Sequence, residues 1–302
     1  MKPRVALIGP GRLGQALTAL LRRAGYPVVT VIGRDAARNR AAARFIGLPD
    51  EVAGTELTAA AAADILLLCV ADDALRPLAQ ALHASGILRP THLLIHCSGL
   101  HPADILTGSG GCARLALHPL QTFATAEQGL ANLPGSFMSL QGEATALAAG
   151  EQLVRDLGGH HLILSAELKP LYHAAACLVS NYVTSLIACA CDLLADAGPA
   201  RQHFPQAFAP LLHSAIANSL ALGPEQALTG PIVRGDAGTL ACHLQAIAAQ
   251  HPALLPLYRA LADQTLELAG RSGRLAEADR QRLAALLHNP APASPGSALS
   301  EI

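Results

Sequence analysis

The chain has 302 residues, 51% of them hydrophobic and only 14% charged, with a formal net charge of −1. That length and apolar content can fill two globular domains, while the balanced charge, 3% aromatic content and lack of Trp exclude a basic nucleic-acid surface or a base-stacking platform. Seven cysteines fall without a C-x-x-C pair or a Cys/His metal spacing, so they read as small core residues of a reducing compartment and no metal site is expected. The chain begins on a strand pattern rather than a cleavable leader, which makes the cytoplasm the expected location.

The first element is an apolar run, Val5 to Ile8, that meets Gly9-Pro10-Gly11-Arg12-Leu13-Gly14 and then an Ala/Leu-rich helical pattern. In a dinucleotide site the first glycine makes the tight turn, the second lets backbone approach the pyrophosphate, and the third lets helix pack on strand. Gly9, Gly11, Arg12, Leu13 and Gly14 are therefore expected at the cofactor, with the phosphates on the helix N-terminus. The second strand, Tyr26 to Ile32, ends at Gly33-Arg34-Asp35. An acidic residue directly after this strand would hold the ribose of NAD. Gly33 stands there instead, leaving room for a phosphate that the Arg34 guanidinium can grip, so NADP is the expected cofactor. Asp35 lies close enough to leave NAD open, and Arg38 or Arg40 can share the role of Arg34.

Further α/β alternation follows. Thr58 to Ala63 is helical or connecting, and Asp64 to Val70 is a continuous apolar run of the kind a parallel sheet buries on both faces. Leu75, Leu78, Ala79 and Leu82 mark a helix. Thr91 to Cys97 and Leu115 to Leu117 are the next strands, ending at Ser98-Gly99 and His118-Pro119. This pattern predicts a doubly wound parallel sheet, with ligands beyond the carboxyl ends of its strands; Val70, Ala71, Asp72 and Ser98 join the cofactor set on that basis. Phe137 to Gln141 reads as a short strand, Ala144 to Leu157 as a helix and His161 to Leu164 as a closing strand. From Glu167 to Leu287 the spacing is helical throughout, broken at Gly198-Pro199, Gly223-Pro224, Gly230-Pro231, His251-Pro252 and Gly270 to Gly273. The expected organisation is an NADP-binding domain over 1–164, an all-helical substrate and dimerisation domain over 165–288, and a disordered proline-rich tail over 289–302. The uncharged stretch from Ala174 to Cys191 reaches the length of a membrane span, but Ser180, Asn181, Thr184 and Ser185 interrupt it, which predicts a core helix buried on nearly all sides and no membrane partner.

Three motifs carry a family resemblance: Leu117-His-Pro-Leu-Gln-Thr-Phe123, Tyr172-His-Ala-Ala-Ala176 with Ser180-Asn-Tyr182, and Ala227-Leu-Thr-Gly-Pro-Ile-Val-Arg-Gly-Asp236 with Thr239 and His243. With them the chain resembles a Rossmann-like NADP-oxidoreductase family whose helical C-terminal half is catalogued as a domain of unknown function. More distantly it is similar to ketopantoate reductase, the β-hydroxyacid dehydrogenases, pyrroline-carboxylate reductase and prephenate dehydrogenase. The resemblance implies a helical domain of the 6-phosphogluconate-dehydrogenase-like type, hydride transfer between NADPH and a small keto acid or imine, and a homodimer joined through the helical domains. Ketopantoate reductase is one specific alternative, and a non-catalytic NADP-binding sensor another.

Lys169 precedes Pro170 at a helix entry and shares a helix face with His173, four residues on. A lysine or histidine beside a nicotinamide can protonate or hydrogen-bond the heteroatom while the carbon takes hydride. The β-hydroxyacid dehydrogenases place a catalytic lysine on the equivalent helix with an asparagine four residues later; here that position is His173, so the histidine shares the acid role or the substrate differs. The alternatives are a solvent-reaching lysine and a core histidine. His118, at a strand end before Pro119, is the third expected catalytic residue, or else a partner of its own turn. Gln121 and Thr122 are placed at the same mouth. Asn181, Thr229, Arg234 and Asp236 are the expected substrate contacts, with Arg234 suited to a carboxylate or, alternatively, paired with Asp236 or used in a helix cap.

Overall fold

The computed structural model describes residues 1–108 and 110–288; the tail expected over 289–302 lies outside the described residues. Contacts divide the chain into two compact units, Met1–Tyr182 and the residues from Val183 on.

The first unit is an eight-stranded sheet covered by helices. Its strands are β1 (Val5–Ile8), β2 (Val28–Ile32), β3 (Ala53–Gly54), β4 (Ile65–Leu68), β5 (Leu93–His96), β6 (Ala113–Pro119), β7 (Phe137–Gly142) and β8 (His160–Ile163), in the spatial order 3-2-1-4-5-6-7-8. Helices α1 (Arg12–Arg23), α2 (Ala36–Ile46), α3 (Asp72–Ala84), α4 (Ala126–Asn132), α5 (Ala144–Asp156) and α6 (Lys169–Val179) complete it. Successive residues of a strand face opposite sides of its sheet, so β1 and β4, covered on both sides, are apolar at every position, and β5 is apolar up to its last residue, His96. Val5, Leu7, Ile65, Leu67, Leu93 and Ile95 pack with α1 and α5 on one face, and Ala6, Ile8, Leu66, Leu68 and Leu94 pack with α3 on the other.

All pairings are parallel except that of β6 with β7, where His118 lies opposite Ser139. The sheet is therefore mostly parallel rather than wholly so. Instead of crossing back over the sheet, the seven-residue α4 docks on α1, and the chain re-enters running the other way. Both α4 and the two-residue β3 escape the sequence patterns, being too short to show a period.

The uncharged helix is where expectation and structure part. Ser180 breaks it with φ −125° and ψ −74°, separating α6 from α7 (Asn181–Asp192). The stretch Lys169–Asp192, with mean hydropathy 1.7, is long and apolar enough to cross a membrane by length and composition, but its apolar window is not buried at all. The expected core helix is thus one whose apolar window stays uncovered among the described residues.

The second unit contains most of α7, then α8 (Phe204–Leu222), α9 (Pro224–Ala227), α10 (Ala237–Gln250), α11 (Leu255–Arg271) and α12 (Glu277–His288), and no strand among its described residues. Its core gathers Ile232, Val233, Leu240, Leu244, Ala262, Leu266, Ala269, Leu283 and Leu287 from α10, α11, α12 and the turn before α10. Neither α7 nor α8 buries a residue.

What positions the functional end of the sheet is how tightly α1 sits on it. A Cβ on Gly14 would lie 2.7 Å from the Gly9 carbonyl oxygen and 3.0 Å from both Cys69 Cβ and Leu7 Cδ1. Gly14→Ala is expected to destabilise the protein by about 1–3 kcal/mol through overpacking, read as a lower midpoint in denaturant with an unchanged slope.

Candidate functional site

The turn after β1 has the features of an anion cradle. Gly9 takes φ +90°, and a Cβ there would meet the Cys69 carbonyl oxygen at 2.6 Å. Gly11, the N-cap of α1, makes no side-chain bond, and a Cβ on it would meet nothing within 4 Å. The first turn of α1 holds no acidic residue, and Arg12 is exposed there beside half-buried Leu13. Open N–H groups, a free backbone face and the positive end of the helix suit a pyrophosphate.

At the end of β2 the structure changes the reasons given for two residues. The room left by Gly33 is filled from within: its missing Cβ would collide with the Asn39 amide, which donates to the carbonyls of Gly33 at 2.9 Å and Gly54 at 2.7 Å. Gly33 is thus small for Asn39, not for a phosphate. Asp35 caps α2, accepting from the Arg38 N–H at 2.9 Å, a bond that holds its carboxyl below the ordinary value. Arg34, Arg38 and Arg40 are exposed beside it.

Beyond the carboxyl ends of β4 and β5 lies a compact polar cluster. Val70 and Ala71 lead into α3, whose first residue, Asp72, accepts from the Ser98 hydroxyl at 2.9 Å. The same hydroxyl accepts from the N–H groups of His101 at 3.0 Å and Leu100 at 3.2 Å, so it braces the turn after β5. The Ser98 N–H donates to His96 Nδ1 at 3.2 Å, which leaves the proton on Nε2, 3.2 Å from the Pro102 carbonyl oxygen. Burial, with Lys169 nearby, pushes His96 down to about 3, so it is neutral. What Ser98 offers the site is its carbonyl oxygen, which accepts from Lys169 Nζ at 3.2 Å.

Lys169 is fully buried at the start of α6, and burial lowers it from 10.5 to about 8 against the opposing pull of Asp72. It is one of only two lysines in the chain. On the same helix Tyr172 and His173 reach His118 at the end of β6. Tyr172 OH lies 3.0 Å from His118 Nδ1, and the His173 ring meets the His118 ring edge-on at 6.1 Å. Burial, then Lys169 and His173, bring His118 down to about 4. Gly99 makes this packing possible, since a Cβ there would lie 2.6 Å from His173 Cδ2 and 2.9 Å from His118 Nε2. His118 and His173 line a cavity of about 330 Å³ together with Gln121, Thr122, Cys177 and Asn181, a volume within the range of small-molecule sites.

The structure therefore gathers Lys169, His173, His118, Ser98, Asp72 and Asn181 in the first unit. Thr229, Arg234 and Asp236 belong to the second. There Asp236 is the N-cap of α10, with its two carboxylate oxygens taken by Thr239 N (3.0 Å) and Thr239 Oγ1 (2.7 Å); capping, not substrate contact, accounts for it. Arg234 and Thr229 are exposed. Sequence reasoning passed over Tyr172 and His96, whose roles come from partners far along the chain; for Asp236, the Asp-x-x-Thr spacing before a helix was a visible cap signal.

The buried amine has a measurable signature. Between about pH 8 and 10.5 the unfolded chain holds a proton that folded Lys169 has lost, so its contribution to stability rises with pH through that window. Lys169→Met is expected to be more stable than the wild type at pH 7 by about 2–3 kcal/mol, the gap closing towards pH 10; denaturant unfolding at pH 7 and 9.5 checks this.

Residues 1–119 match the Rossmann-like domain, and residues 136–265 match the family described as Domain of unknown function (DUF2520). No curated protein matches the sequence. Among solved structures, a Bacteroides fragilis protein provisionally named an NADP oxidoreductase, BF3122, superposes with TM-score 0.72 at 23% identity, over 87% of this chain and 98% of that one. Protein TM1727 from Thermotoga maritima gives 0.68 at 21% over 89% and 99%, and the imine reductase from Myxococcus stipitatus in complex with NADP+ gives 0.61 at 18% over 93% and 100%. The likeness is one of fold, and the two sequence matches identify a Rossmann-like domain over residues 1–119 followed by a DUF2520 domain over residues 136–265.

Proposed function

We propose that the chain is an NADP-dependent oxidoreductase that moves hydride between NADPH and a small keto acid or imine, with residues 1–164 binding the nucleotide and 165–288 the substrate. One observation carries the reading: an unbroken set of contacts links the anion cradle to the buried amine. Gly9 packs on Cys69 and Val70, Asp72 holds Ser98, and the Ser98 carbonyl holds Lys169. A nicotinamide bound there would supply or accept the hydride. Gly9, Gly11 and Gly14 with the first turn of α1 hold the pyrophosphate, and Arg34, flanked by Arg38 and Arg40, meets the 2′-phosphate. Asp35, engaged in its cap, is less available to a ribose, which favours NADP over NAD.

Lys169, mostly charged at neutral pH, stabilises or protonates the heteroatom that hydride transfer leaves electron-rich. His118 and His173 orient that atom, and Asn181 lines the same cavity. The NADP+-bound imine reductase of like fold supports the nicotinamide and leaves keto acid and imine open. A keto acid such as ketopantoate also needs a cation for its carboxylate, and Arg234 is the exposed guanidinium suited to it, with Thr229 nearby in sequence.

Following NADPH absorbance across keto acids, ketopantoate included, and cyclic imines tests this. Turnover of at least one compound is expected, lost in the Lys169→Ala/His173→Ala double variant while NADPH still binds. Arg34→Ala should weaken NADPH about tenfold and leave NADH unchanged. Tight NADPH binding without turnover of any compound would return the sensor reading, and equal binding of NADH would remove NADP preference.

A homodimer completes the proposal. Leu171 and Val179 on α6 are 71% and 75% exposed, and Leu220 on α8 is 83% exposed, alongside exposed Leu178, Leu211 and Leu222. Exposed apolar area of this kind marks an interface. Sedimentation should show a dimer that Leu220→Glu shifts towards monomer; a chain that instead needs detergent or enters liposomes would point to a membrane.

A further inference from the structure

The contact between Tyr172 and His118 assigns a proton, and we infer that Tyr172 is a positioning residue that locks His118 as its Nε2–H tautomer, presenting a neutral N–H donor to the cavity. The consequence for substrate rests on the reductase reading above; the tautomer does not.

The argument begins with the phenol. Its oxygen lies 3.0 Å from His118 Nδ1. Either Tyr172 donates to Nδ1, or a protonated Nδ1 donates to Tyr172. In the second case the phenol proton needs another acceptor, and the group at hand is the Ser139 hydroxyl, which also hydrogen-bonds with the phenol. Ser139, opposite His118 in the β6–β7 register, is buried with no further partner among the described residues: accepting from Tyr172 would leave its own proton orphaned, whereas donating to the phenol oxygen leaves Tyr172 to donate to Nδ1. An orphaned buried donor is costly, and an imidazole nitrogen is the better acceptor. Tyr172 therefore donates, Nδ1 is bare, and the ring proton sits on Nε2.

The charged alternative is closed from every side. Lys169 and His173 on α6 face His118, its neighbour on β5, His96, is itself held neutral, and burial adds to their effect; Tyr172, pushed up by burial, keeps its proton. His118 Nε2 has no hydrogen-bond partner among the described residues, and it lies on the edge that Gly99, by lacking a Cβ, leaves clear. His118 lines the cavity and its Nδ1 is occupied, so Nε2–H is the ring donor it has left for a ligand.

A neutral donor selects an acceptor. The substrate class this favours is one whose reacting heteroatom has a free lone pair, a ketone oxygen or a neutral imine nitrogen, over a protonated iminium, which has none. Lys169 remains the cationic group of the site.

The test uses the full chain labelled with 15N-histidine, without substrate or cofactor. Long-range proton–nitrogen spectra between pH 5.5 and 8 should show His118, assigned by the cross-peaks lost in His118→Gln, with Nε2 protonated and Nδ1 bare throughout. In Tyr172→Phe the two nitrogen shifts should move towards each other as the tautomers mix. A wild-type spectrum with Nδ1 protonated overturns the inference even if Tyr172→Phe fails to fold, as does a folded Tyr172→Phe with an unchanged pattern. With an active substrate, Tyr172→Phe should lower kcat about tenfold or more at little change in KM, and His118→Gln, which keeps an N–H near the Nε2 position, should retain more activity than His118→Ala. Inactivity against the whole panel would sink the reductase reading and leave the spectra to decide the tautomer alone.

Discussion

The structure depends on the contact between the start of α1 and the ends of β1 and β4, where two side chains are missing. Gly14 against the Gly9 carbonyl, and Gly9 against Cys69 and Val70, bring helix, first strand and fourth strand into backbone contact. A larger residue at either position would lift α1 from the sheet, and with it the open N–H groups that suit an anion. Because β4 runs on into α3, the same contact sets where Asp72 stands, hence where Ser98 is held and which carbonyl meets Lys169. Steric constraint after β1 thereby becomes electrostatic arrangement beyond the ends of β4 and β5.

That arrangement is unusual in its charge. A buried amine sits among His96 and His118, both held neutral, with the Asp72 carboxylate as its counterweight. Lysine and histidines titrate against one another: the cation that survives near neutral pH is the lysine, and the imidazoles it suppresses act as directional hydrogen-bonding groups. Division of labour between a charge and an oriented donor follows from burial, without any residue of special reactivity.

Much of this was legible in the chain. The glycine turn declares itself by position, β4 by an unbroken apolar run, His118 by standing where a strand stops, and Lys169 by preceding a proline at a helix entry. What was not legible depends on distant partners. Nothing local says that Asn39 fills the space beside Gly33, that Tyr172 reaches back to His118, or that α4 turns β7 around. The apolar stretch through Ser180 shows the deeper limit, since composition reports that a surface wants covering but not whether its own chain covers it.

The place of β1 bears on how the molecule is made. It lies inside the sheet, between β2 and β4, although it is synthesised before the other strands of that sheet. Its first flank closes once β2 arrives, and that βαβ unit can form early from local contacts. Its second flank stays open until Ile65–Leu68 is synthesised, after β3 has been made for the far side of β2, and the sheet then grows outward strand by strand to β8. During that interval Val5 to Ile8 offers an unpaired, fully apolar edge. The residues that later carry the nucleotide turn are thus the most exposed to mispairing while the chain is being made.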